Sequence, residues 1–575
     1  MEVNCEILLY LDRRRLLDDM KIECKEFLKE LSEKPMNRFL PFRYVLEVDV
    51  MKLLDEFPDL GKMLLEEPLA WNQIASDILY SCLQTLIRDA DCQVDPAQVA
   101  VTLRLYALPR ILCRPNRRYN TGLVSFEGIL IHTSKPTSYV YHTVWSCPEQ
   151  CEGNEIVLQY IPKSSPKCCI CRSVLFENSG MRRCGEKVKT TFLLNNGKFA
   201  KTFVIVDDLI SKLKEGASYL LAGSVIKKIT AIWLLEEVTT LAAPITCVAP
   251  IDIQKLYDVC DGLSWKFIYC LASSLGTNVC PLNCFMHLKI SLLLSLASIR
   301  ANTLTGSSIL HVLVAGFDTS VVADIMTEAS KLAERNVLLG TTNTSVATAL
   351  VGSSGGVCVM PLPLHTYSTK QTSSILSSIE CNEVTTENCK VKLKSAVWAQ
   401  GMDLKKIVLY NVASVFGFVC RGDFGKHNDE MVDFILQNAV DPLETTEEEI
   451  QALKDVKHYL DLVAGITVSI DKRAERILRS YFLAARKENS RGVSVGSMSA
   501  LLSASLTSAR LCRRSVANVE DAVFAIWLHV SGSPEPRFAP EEYLQTPADV
   551  KKLHKIMDSF KEWLEQFIGG VISFM

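Results

Sequence analysis

The segment Val312-Leu-Val-Ala-Gly316-Phe-Asp-Thr-Ser-Val-Val322-Ala323-Asp324-Ile-Met326 decides the fold of the central part of this chain. Its first residues form an apolar run typical of a buried strand, and a helix-like stretch follows the glycine. A strand, a glycine-containing loop and a helix in this order are the framework of a loop that binds phosphate through backbone N–H groups. The segment therefore predicts an α/β domain around it.

The side chains that such a loop needs for its chemistry are missing. A working loop has several glycines, a Lys for the β- and γ-phosphates and a Ser or Thr hydroxyl for Mg²⁺. Here Gly316 is the remaining glycine, and Val322 and Ala323 stand where Lys and Ser would be. Asp324 adds a negative charge where phosphate would lie. The segment predicts descent from an ATPase without the activity, and we do not expect ATP as a cofactor.

The whole chain has 575 residues, a net charge of −3 and 21 cysteines. This length predicts roughly three to four domains, and the charge gives no general attraction to DNA, so that a DNA site must be local. We find neither an apolar run of membrane-spanning length nor a signal peptide in the sequence, and we expect no membrane partner. Scattered cysteines without a secretion signal are typical of reduced thiols in a cytosolic or nuclear protein.

Residue patterns divide the chain into regions of different character, and together they predict a multidomain protein of α+β and α/β class. Apolar runs at 311–316, 356–360 and 395–399 are typical of central parallel strands. The predicted regions are a helical subdomain (1–100), a small β-barrel (101–245) with a Cys-rich insertion (145–185), a linker (246–265), an α/β core (266–435), a helical domain (446–530) and a C-terminal tail (531–575).

The tail contains an amphipathic candidate helix, Val550 to Phe567. Its apolar residues recur at helical spacing and include Leu553, Met557 and Phe560. We expect this helix to dock on the body of the protein. The alternative is a helix that binds a partner.

Four cysteines form a candidate metal site. Cys147 and Cys151 make one close pair, and Cys168 and Cys171 make a second pair 16 residues on. Structural zinc takes four thiolates in a tetrahedron, and two close pairs on separate turns can supply them. Cys169 or Cys184 could replace a member of the second pair, and the alternative is a set of unrelated buried cysteines. The turn-rich surroundings favour a closed, structural zinc site.

Several stretches resemble the minichromosome maintenance (MCM) helicase family. The stretches are Tyr119-Asn-Thr-Gly-Leu-Val-Ser-Phe-Glu-Gly-Ile-Leu, Lys214-Glu-Gly-Ala-Ser-Tyr-Leu-Leu-Ala-Gly-Ser-Val-Ile, Gly356-Val-Cys-Val-Met and Ser414-Val-Phe, and the likeness covers roughly residues 100–530. The resemblance implies an N-terminal helical subdomain, an OB-type β-barrel with a zinc insertion, a degenerate AAA+ α/β domain and a helical lid.

The resemblance also assigns roles to positions that have lost their chemistry. In this family, Val322 and Ala323 would be the Walker A Lys and Ser, and Pro361 and Leu362 would be the Walker B Asp and Glu. Further along the chain, Val415 stands at the arginine finger and Gly496 at a lid arginine. Each missing group ordinarily contributes a large factor to phosphoryl transfer, so the resemblance implies a protein that is not an enzyme.

The pattern of degraded motifs is most similar to divergent, meiotic members of the family. It implies a nuclear, non-catalytic role in meiotic homologous recombination and double-strand break repair, with other MCM-like or recombination proteins as partners. One alternative is an ATPase or helicase that is active within a hetero-oligomer, with Lys331 or a partner's residue supplying the missing cation. The other is a module that binds single-stranded DNA.

A barrel of the OB type can grip single-stranded DNA with basic and aromatic side chains. The basic candidates on and near the predicted barrel are Arg114, Arg117, Arg118, Lys187, Lys189 and Lys198. Lys201 and Tyr139 are nearby. The alternative is an ordinary solvated face, which the acidic Glu127 in the first barrel strand favours.

Overall fold

The computed structural model divides into two compact units, residues 1–239 and residues 240–575. The described segments are residues 2–33, 39–87, 94–109, 122–151, 155–194, 199–226, 229–238, 248–315, 319–341, 345–401, 406–421, 428–440, 447–489, 493–533, 539–544, 547 and 549–569. Each unit encloses hydrophobic clusters of its own.

The first unit begins with helices and one pair of parallel strands. The helices are α1 (Glu2–Arg13), α2 (Leu16–Glu33), α3 (Val50–Glu56), α4 (Pro58–Glu66) and α5 (Pro68–Ile87), and the strands are β1 (Phe42–Asp49) and β2 (Val99–Tyr106). The sequence predicts helices in this region, and β1 is an addition to that prediction. Since its partner strand is distant in the sequence, β1 is not marked by any local hairpin signal.

The rest of the first unit is a β-sheet that closes on itself. Its strands are β3 (Leu123–Thr133), β4 (Thr137–Ser146), β5 (Ile156–Leu158), β6 (Phe176–Glu177), β7 (Arg183–Leu194), β8 (Ala200–Val206), β9 (Ser218–Ile226) and β10 (Ile229–Glu237). The order is β3-β9-β10-β8-β7-β4-β5, and a further pairing of β3 with β7 closes a ring of five strands. Leu130, Phe192 and Phe203 are buried in one cluster that these strands enclose.

The second unit contains a parallel sheet whose order is β12-β13-β16-β11-β17. The strands of this unit are β11 (Val312–Ala315), β12 (Asn336–Leu338), β13 (Val357–Pro363), β14 (Glu383–Thr385), β15 (Lys390–Lys392), β16 (Ala396–Gly401), β17 (Val419–Arg421), β18 (Ser469–Ile470) and β19 (Val516–Ala517). Since β11, β13 and β16 coincide with the predicted apolar runs, the α/β character of this region is confirmed.

Helices surround this sheet and form the remainder of the second unit. They are α6 (Ile251–Val259), α7 (Ser264–Ser273), α8 (Met286–Thr305), α9 (Thr319–Ser330), α10 (Val346–Gly352), α11 (Thr369–Cys381), α12 (Lys406–Phe416), α13 (Asn428–Val440), α14 (Glu447–Ala464), α15 (Lys472–Glu488), α16 (Val495–Leu511), α17 (Val519–Gly532), α18 (Glu541–Leu544) and α19 (Val550–Phe567). Helix α8 is buried from Met286 to Ala301, as expected for a helix that is apolar on most of its surface.

The C-terminal helix α19 packs against the rest of the second unit, as the sequence predicts. Leu553, Met557, Phe560 and Leu564 are buried in the main cluster of that unit. Their spacing of three and four residues places them on one face of the helix. This apolar stripe is therefore part of the fold, and the alternative of a free partner-binding face is wrong for these four residues.

The predicted linker at 246–265 is mostly helical. It contains α6 and the beginning of α7, and Ile253 and Cys260 are buried in the main cluster of the second unit. In the described residues, no helix combines the length and the apolar character that a membrane crossing would require.

Candidate functional site

The four predicted zinc ligands come together at one place in the first unit. The Sγ atoms of Cys147, Cys151, Cys168 and Cys171 all lie within 4.8 Å of one another, and those of Cys147 and Cys171 are 3.4 Å apart. In a tetrahedral site with Zn–S bonds of about 2.3 Å, the sulfur atoms would be about 3.8 Å apart. The cluster therefore has the donor set and the size of a Cys₄ metal site.

Short turns hold the sulfur atoms in this arrangement. Cys147 directly follows β4, and its carbonyl accepts a hydrogen bond from Gln150 N–H. Around the second pair, Cys168 N–H donates to Ser173 O at 2.8 Å, and Cys171 N–H approaches Cys168 Sγ at 3.2 Å. A backbone N–H directed at a thiolate is a favourable contact for a metal-bound sulfur.

The surroundings of the cluster shift the pKa values of its thiols in opposite directions. Hydrogen bonds from the Ser173 hydroxyl and backbone N–H lower the pKa of Cys171 to about 6. Burial and the neighbouring thiols raise the pKa of Cys151 to about 12. Four thiolates this close repel one another unless a cation lies between them, and a divalent metal ion would supply that charge.

Cys169 and Cys184, the alternative ligands of the sequence analysis, are not in this group. Both are exposed. Trp145 and Leu175 form the small buried cluster of this region together with Cys147 and Cys168. Because so few apolar residues are buried here, a metal ion would be a main source of local stability.

The segment that the sequence predicts to be a degenerate phosphate loop includes the end of β11 and the start of α9. Gly316 is outside the described residues, and the remaining positions are on α9. Val322 is 2% exposed and packs in the main cluster of the second unit. Ala323 is half-buried and Asp324 is exposed. The first turns of α9 thus present an apolar contact to the core and a negative charge to solvent.

Pro361 and Leu362 lie near the end of β13, at the edge of the sheet where α/β proteins ordinarily bind ligands. Leu362 is 45% exposed, and its N–H donates to the Tyr367 hydroxyl at 3.4 Å. The same hydroxyl donates to Leu339 O at 3.1 Å. These contacts fix the end of β13 in place, and neither Pro361 nor Leu362 presents a carboxylate there.

Sequence reasoning missed one residue at this edge, Gln400. It is buried at the end of β16, and its Nε2 donates to Pro361 O. Its Oε1 is buried and has no hydrogen-bond partner among the described residues. The signal in the sequence is a polar residue that ends the apolar run beginning at Ala396.

Val415 and Gly496 come together elsewhere in the second unit. Val415 is in the last turn of α12 and Gly496 is in the first turn of α16. Both line a cavity of about 720 Å³ that also includes the charged residues Lys392, Arg486 and Glu380. Val415, the predicted arginine-finger position, is half-buried, and Gly496, the predicted lid-arginine position, lies against neighbouring backbone.

The basic candidates for DNA contact do not form one group in the described residues. Arg114, Arg117, Arg118 and Lys198 lie outside these residues. Lys187 and Lys189 alternate in β7 with the buried Val188, and therefore point away from the barrel core. No described residue forms an ion pair with either lysine.

Lys201 and Tyr139 are engaged in the fold. Lys201 Nζ lies 3.9 Å from the centroid of the Phe126 ring, and burial lowers the pKa of this lysine. The Tyr139 hydroxyl donates to Asp207 at 2.7 Å, and the same carboxylate pairs with Arg43 at 2.8 Å. The hydroxyl of Tyr139 is thus tied to Asp207, and the ammonium group of Lys201 is held against an aromatic ring of the barrel.

Comparison with known proteins confirms the resemblance. Residues 3–108 match the family described as MCMDC2, N-terminal domain. Minichromosome maintenance domain-containing protein 2 of Rattus norvegicus is 22% identical over 91% of this chain and 89% of the relative. The protein of the same name from Mus musculus is 21% identical over the same shares, and that of Homo sapiens is 20% identical over 57% of this chain and 53% of the relative.

Proposed function

We propose that this chain, an MCM-like protein similar over 91% of its length to minichromosome maintenance domain-containing protein 2, is a non-catalytic scaffold of meiotic homologous recombination and DNA double-strand break repair. It acts in the nucleus, together with other MCM-like or recombination proteins. The meiotic role rests on the family resemblance, and the non-catalytic role rests on the residues at the nucleotide positions.

The burial of Val322 carries the non-catalytic part of the proposal. A Walker A lysine must extend from the start of its helix toward the phosphates. At this position a valine that is 2% exposed packs into the core instead. Metal binding and water polarisation would need carboxylates near Pro361 and Leu362, and neither residue can supply them.

We also propose an identity for each domain of the chain. A closed ring of five strands with a Cys₄ insertion supports an OB-type barrel with structural zinc. The parallel sheet β12-β13-β16-β11-β17 with α9 after β11 supports a degenerate AAA+ domain, and α14 to α17 support a helical lid. In this fold the barrel and lid would provide surfaces for partners, while the AAA+ core would serve as a rigid body.

The alternative of an ATPase that works in a hetero-oligomer has less support. Lys331, its candidate replacement cation, follows the last residue of α9 and pairs with Glu328 at 2.6 Å. A helix of 12 residues is about 18 Å long, so Lys331 is at the far end from the phosphate position. A cation would have to come entirely from a partner.

DNA contact through the barrel remains part of the proposal. Lys187 and Lys189 are two residues apart on one outward face of β7, which is the arrangement that tracks a phosphate backbone. We infer a weak, sequence-independent contact with single-stranded DNA that supplements protein contacts.

Equilibrium binding of labelled ATP–Mg²⁺ to the purified full chain tests the non-catalytic role. We expect no binding at millimolar nucleotide and no turnover, while the protein still rescues break repair in meiotic cells that lack it. In the same cells the exposed-site variant Leu362→Ala should rescue as well as the wild type. Turnover by the purified chain, or normal break repair in the cells that lack it, would overturn the proposal.

A further inference from the structure

An arginine in a left-handed backbone conformation follows the end of α16. Arg513 has φ of +54°, the left-handed conformation in which glycine is ordinarily found. Arg513 N–H donates to Arg510 O and Arg514 N–H donates to Ala509 O, which is the hydrogen-bond pattern of a Schellman cap. A glycine at this position would avoid a cost of about 1 kcal/mol. Arg513 therefore holds the end of α16 in a backbone conformation that glycine would adopt at lower cost.

The exposed Arg513 lies at the rim of a cavity of about 470 Å³ in the second unit. The apolar part of the lining includes Ile253, Tyr257, Tyr459 and Cys512. This volume is in the range of sites that hold a small ligand or one large side chain.

The two arginines at the cavity differ in their ion pairs. Arg514 also lines it, but both its terminal nitrogens donate to the buried Asp521 at 2.8 Å. Its Nε is buried, and no residue in the described segments accepts a hydrogen bond from it. Arg513 forms no ion pair with any described residue, and its charge opposes the rise that burial causes in the pKa of Tyr459. The anion Asp258 is exposed at the same cavity.

We propose that this cavity binds a short acidic segment of a partner protein, with one large apolar side chain in the Tyr257–Tyr459 part and a neighbouring carboxylate on Arg513. One unpaired arginine matches one carboxylate, and the arginine fork binds carboxylates in bidentate geometry. Asp258 at the rim disfavours a polyanion such as nucleic acid. The cavity would give the proposed scaffold a docking site, and this biological role rests on the proposed function. The binding of the peptide does not depend on it.

The test is fluorescence polarisation of labelled tetrapeptides with the full chain. The probes are Gly-Phe-Glu-Gly, its neutral form Gly-Phe-Gln-Gly and its truncated form Gly-Ala-Glu-Gly. We expect the first to bind and the other two to bind at least about tenfold more weakly, because each lacks one of the two contacts.

The variant Arg513→Gly removes the charge and relieves the backbone strain, so it should fold at least as well as the wild type. It should weaken Gly-Phe-Glu-Gly at least about tenfold, and Arg513→Lys should bind between the two. Arg15→Gly is a matched control, because Arg15 is another exposed arginine with positive φ (59°) but lies in the first unit. It should leave binding unchanged.

Equal binding of the peptide to the wild type and to Arg513→Gly would overturn the inference, as would no binding to the wild type at millimolar peptide. An oligonucleotide that binds through Arg513 and displaces the peptide would also overturn it and assign the cavity to nucleic acid. None of these results depends on ATP or on meiosis. ATP turnover by the same preparation would refute the proposed function and leave the peptide result standing.

Discussion

Gly496 lies against the backbone carbonyl of Ser414. A Cβ at position 496 would be 2.6 Å from that oxygen, which is closer than real Cβ atoms approach. The Ser494 hydroxyl donates to the same carbonyl at 2.6 Å. The start of α16 therefore packs directly on the last turn of α12, and the position that the sequence analysis compares with a lid arginine is a close backbone contact.

This contact predicts that Gly496→Ala lowers stability. Because the atom in the way is backbone rather than a movable side chain, α16 or α12 has to shift, at a cost of about 1 to 3 kcal/mol. Urea unfolding of the full chain measures the loss. The control is Gly465→Ala, since a Cβ there would meet only Leu304 at 4.0 Å. If the two variants are equally stable, the close approach of α16 to α12 is contradicted.

The cysteine cluster predicts about one zinc ion per chain. Replacing both Cys147 and Cys151 by Ser should remove the metal and raise hydrogen exchange in residues 155–177, where little else is buried. Cys169→Ser and Cys184→Ser are controls of the same chemistry, since the Sγ atoms of these residues are not in the cluster. They should keep the metal. An unchanged metal content in the double variant would refute the assignment.

The burial of Val322 predicts the result of an attempt to restore the Walker A lysine. Val322→Lys would place an unpaired charge in the core and lower stability by about 3 kcal/mol or more. If the proposed function is right, it should show no ATP turnover, because Pro361, Leu362 and Val415 cannot act as metal ligands or as an arginine finger. Asp324→Lys is the control: position 324 is exposed, so it should be as stable as the wild type. Turnover by folded Val322→Lys protein would contradict a non-catalytic core.

Features of the fold and of the candidate sites that depend on neighbouring residues can be predicted from the sequence. The strands that begin at 312, 357 and 396 and the two cysteine pairs can be predicted from neighbouring residues, because apolar period and ligand spacing are local properties. Two contacts cannot be predicted from the sequence in this way: the contact between Gly496 and Ser414, and the hydrogen bond from Gln400 to Pro361. They join residues far apart in the chain, and a glycine or a glutamine alone does not indicate which backbone atom it faces.

Two buried histidines predict a loss of stability in mild acid. Burial lowers the pKa of His311 and of His529 to about 4, while in the unfolded chain a histidine has a pKa of about 6.5. The unfolded state therefore takes up protons first, and stability falls as the pH drops from about 6.5 to about 4. Each histidine should contribute a loss of about 2 kcal/mol at pH 5.

Urea unfolding at several pH values measures this loss. In the fold, His529 Nδ1 and the Tyr481 hydroxyl are 2.8 Å apart, and His311 Nδ1 accepts a hydrogen bond from Val397 N–H. His529→Gln removes one titrating group and should flatten the pH profile. His365→Gln, at an exposed position, should leave the profile unchanged. A profile that is the same for wild type and His529→Gln would show that His529 is not the cause.

The outward face of β7 predicts a small, salt-dependent contact with single-stranded DNA. Lys187→Glu combined with Lys189→Glu should weaken binding, and it should reduce the slope of log affinity against log salt by about 1.4, because two phosphate contacts are lost. Lys25→Glu combined with Lys62→Glu makes the same change in net charge at exposed positions on α2 and α4. If this control pair weakens binding as much as the β7 pair does, the effect comes from net charge, and β7 is not a DNA-binding face.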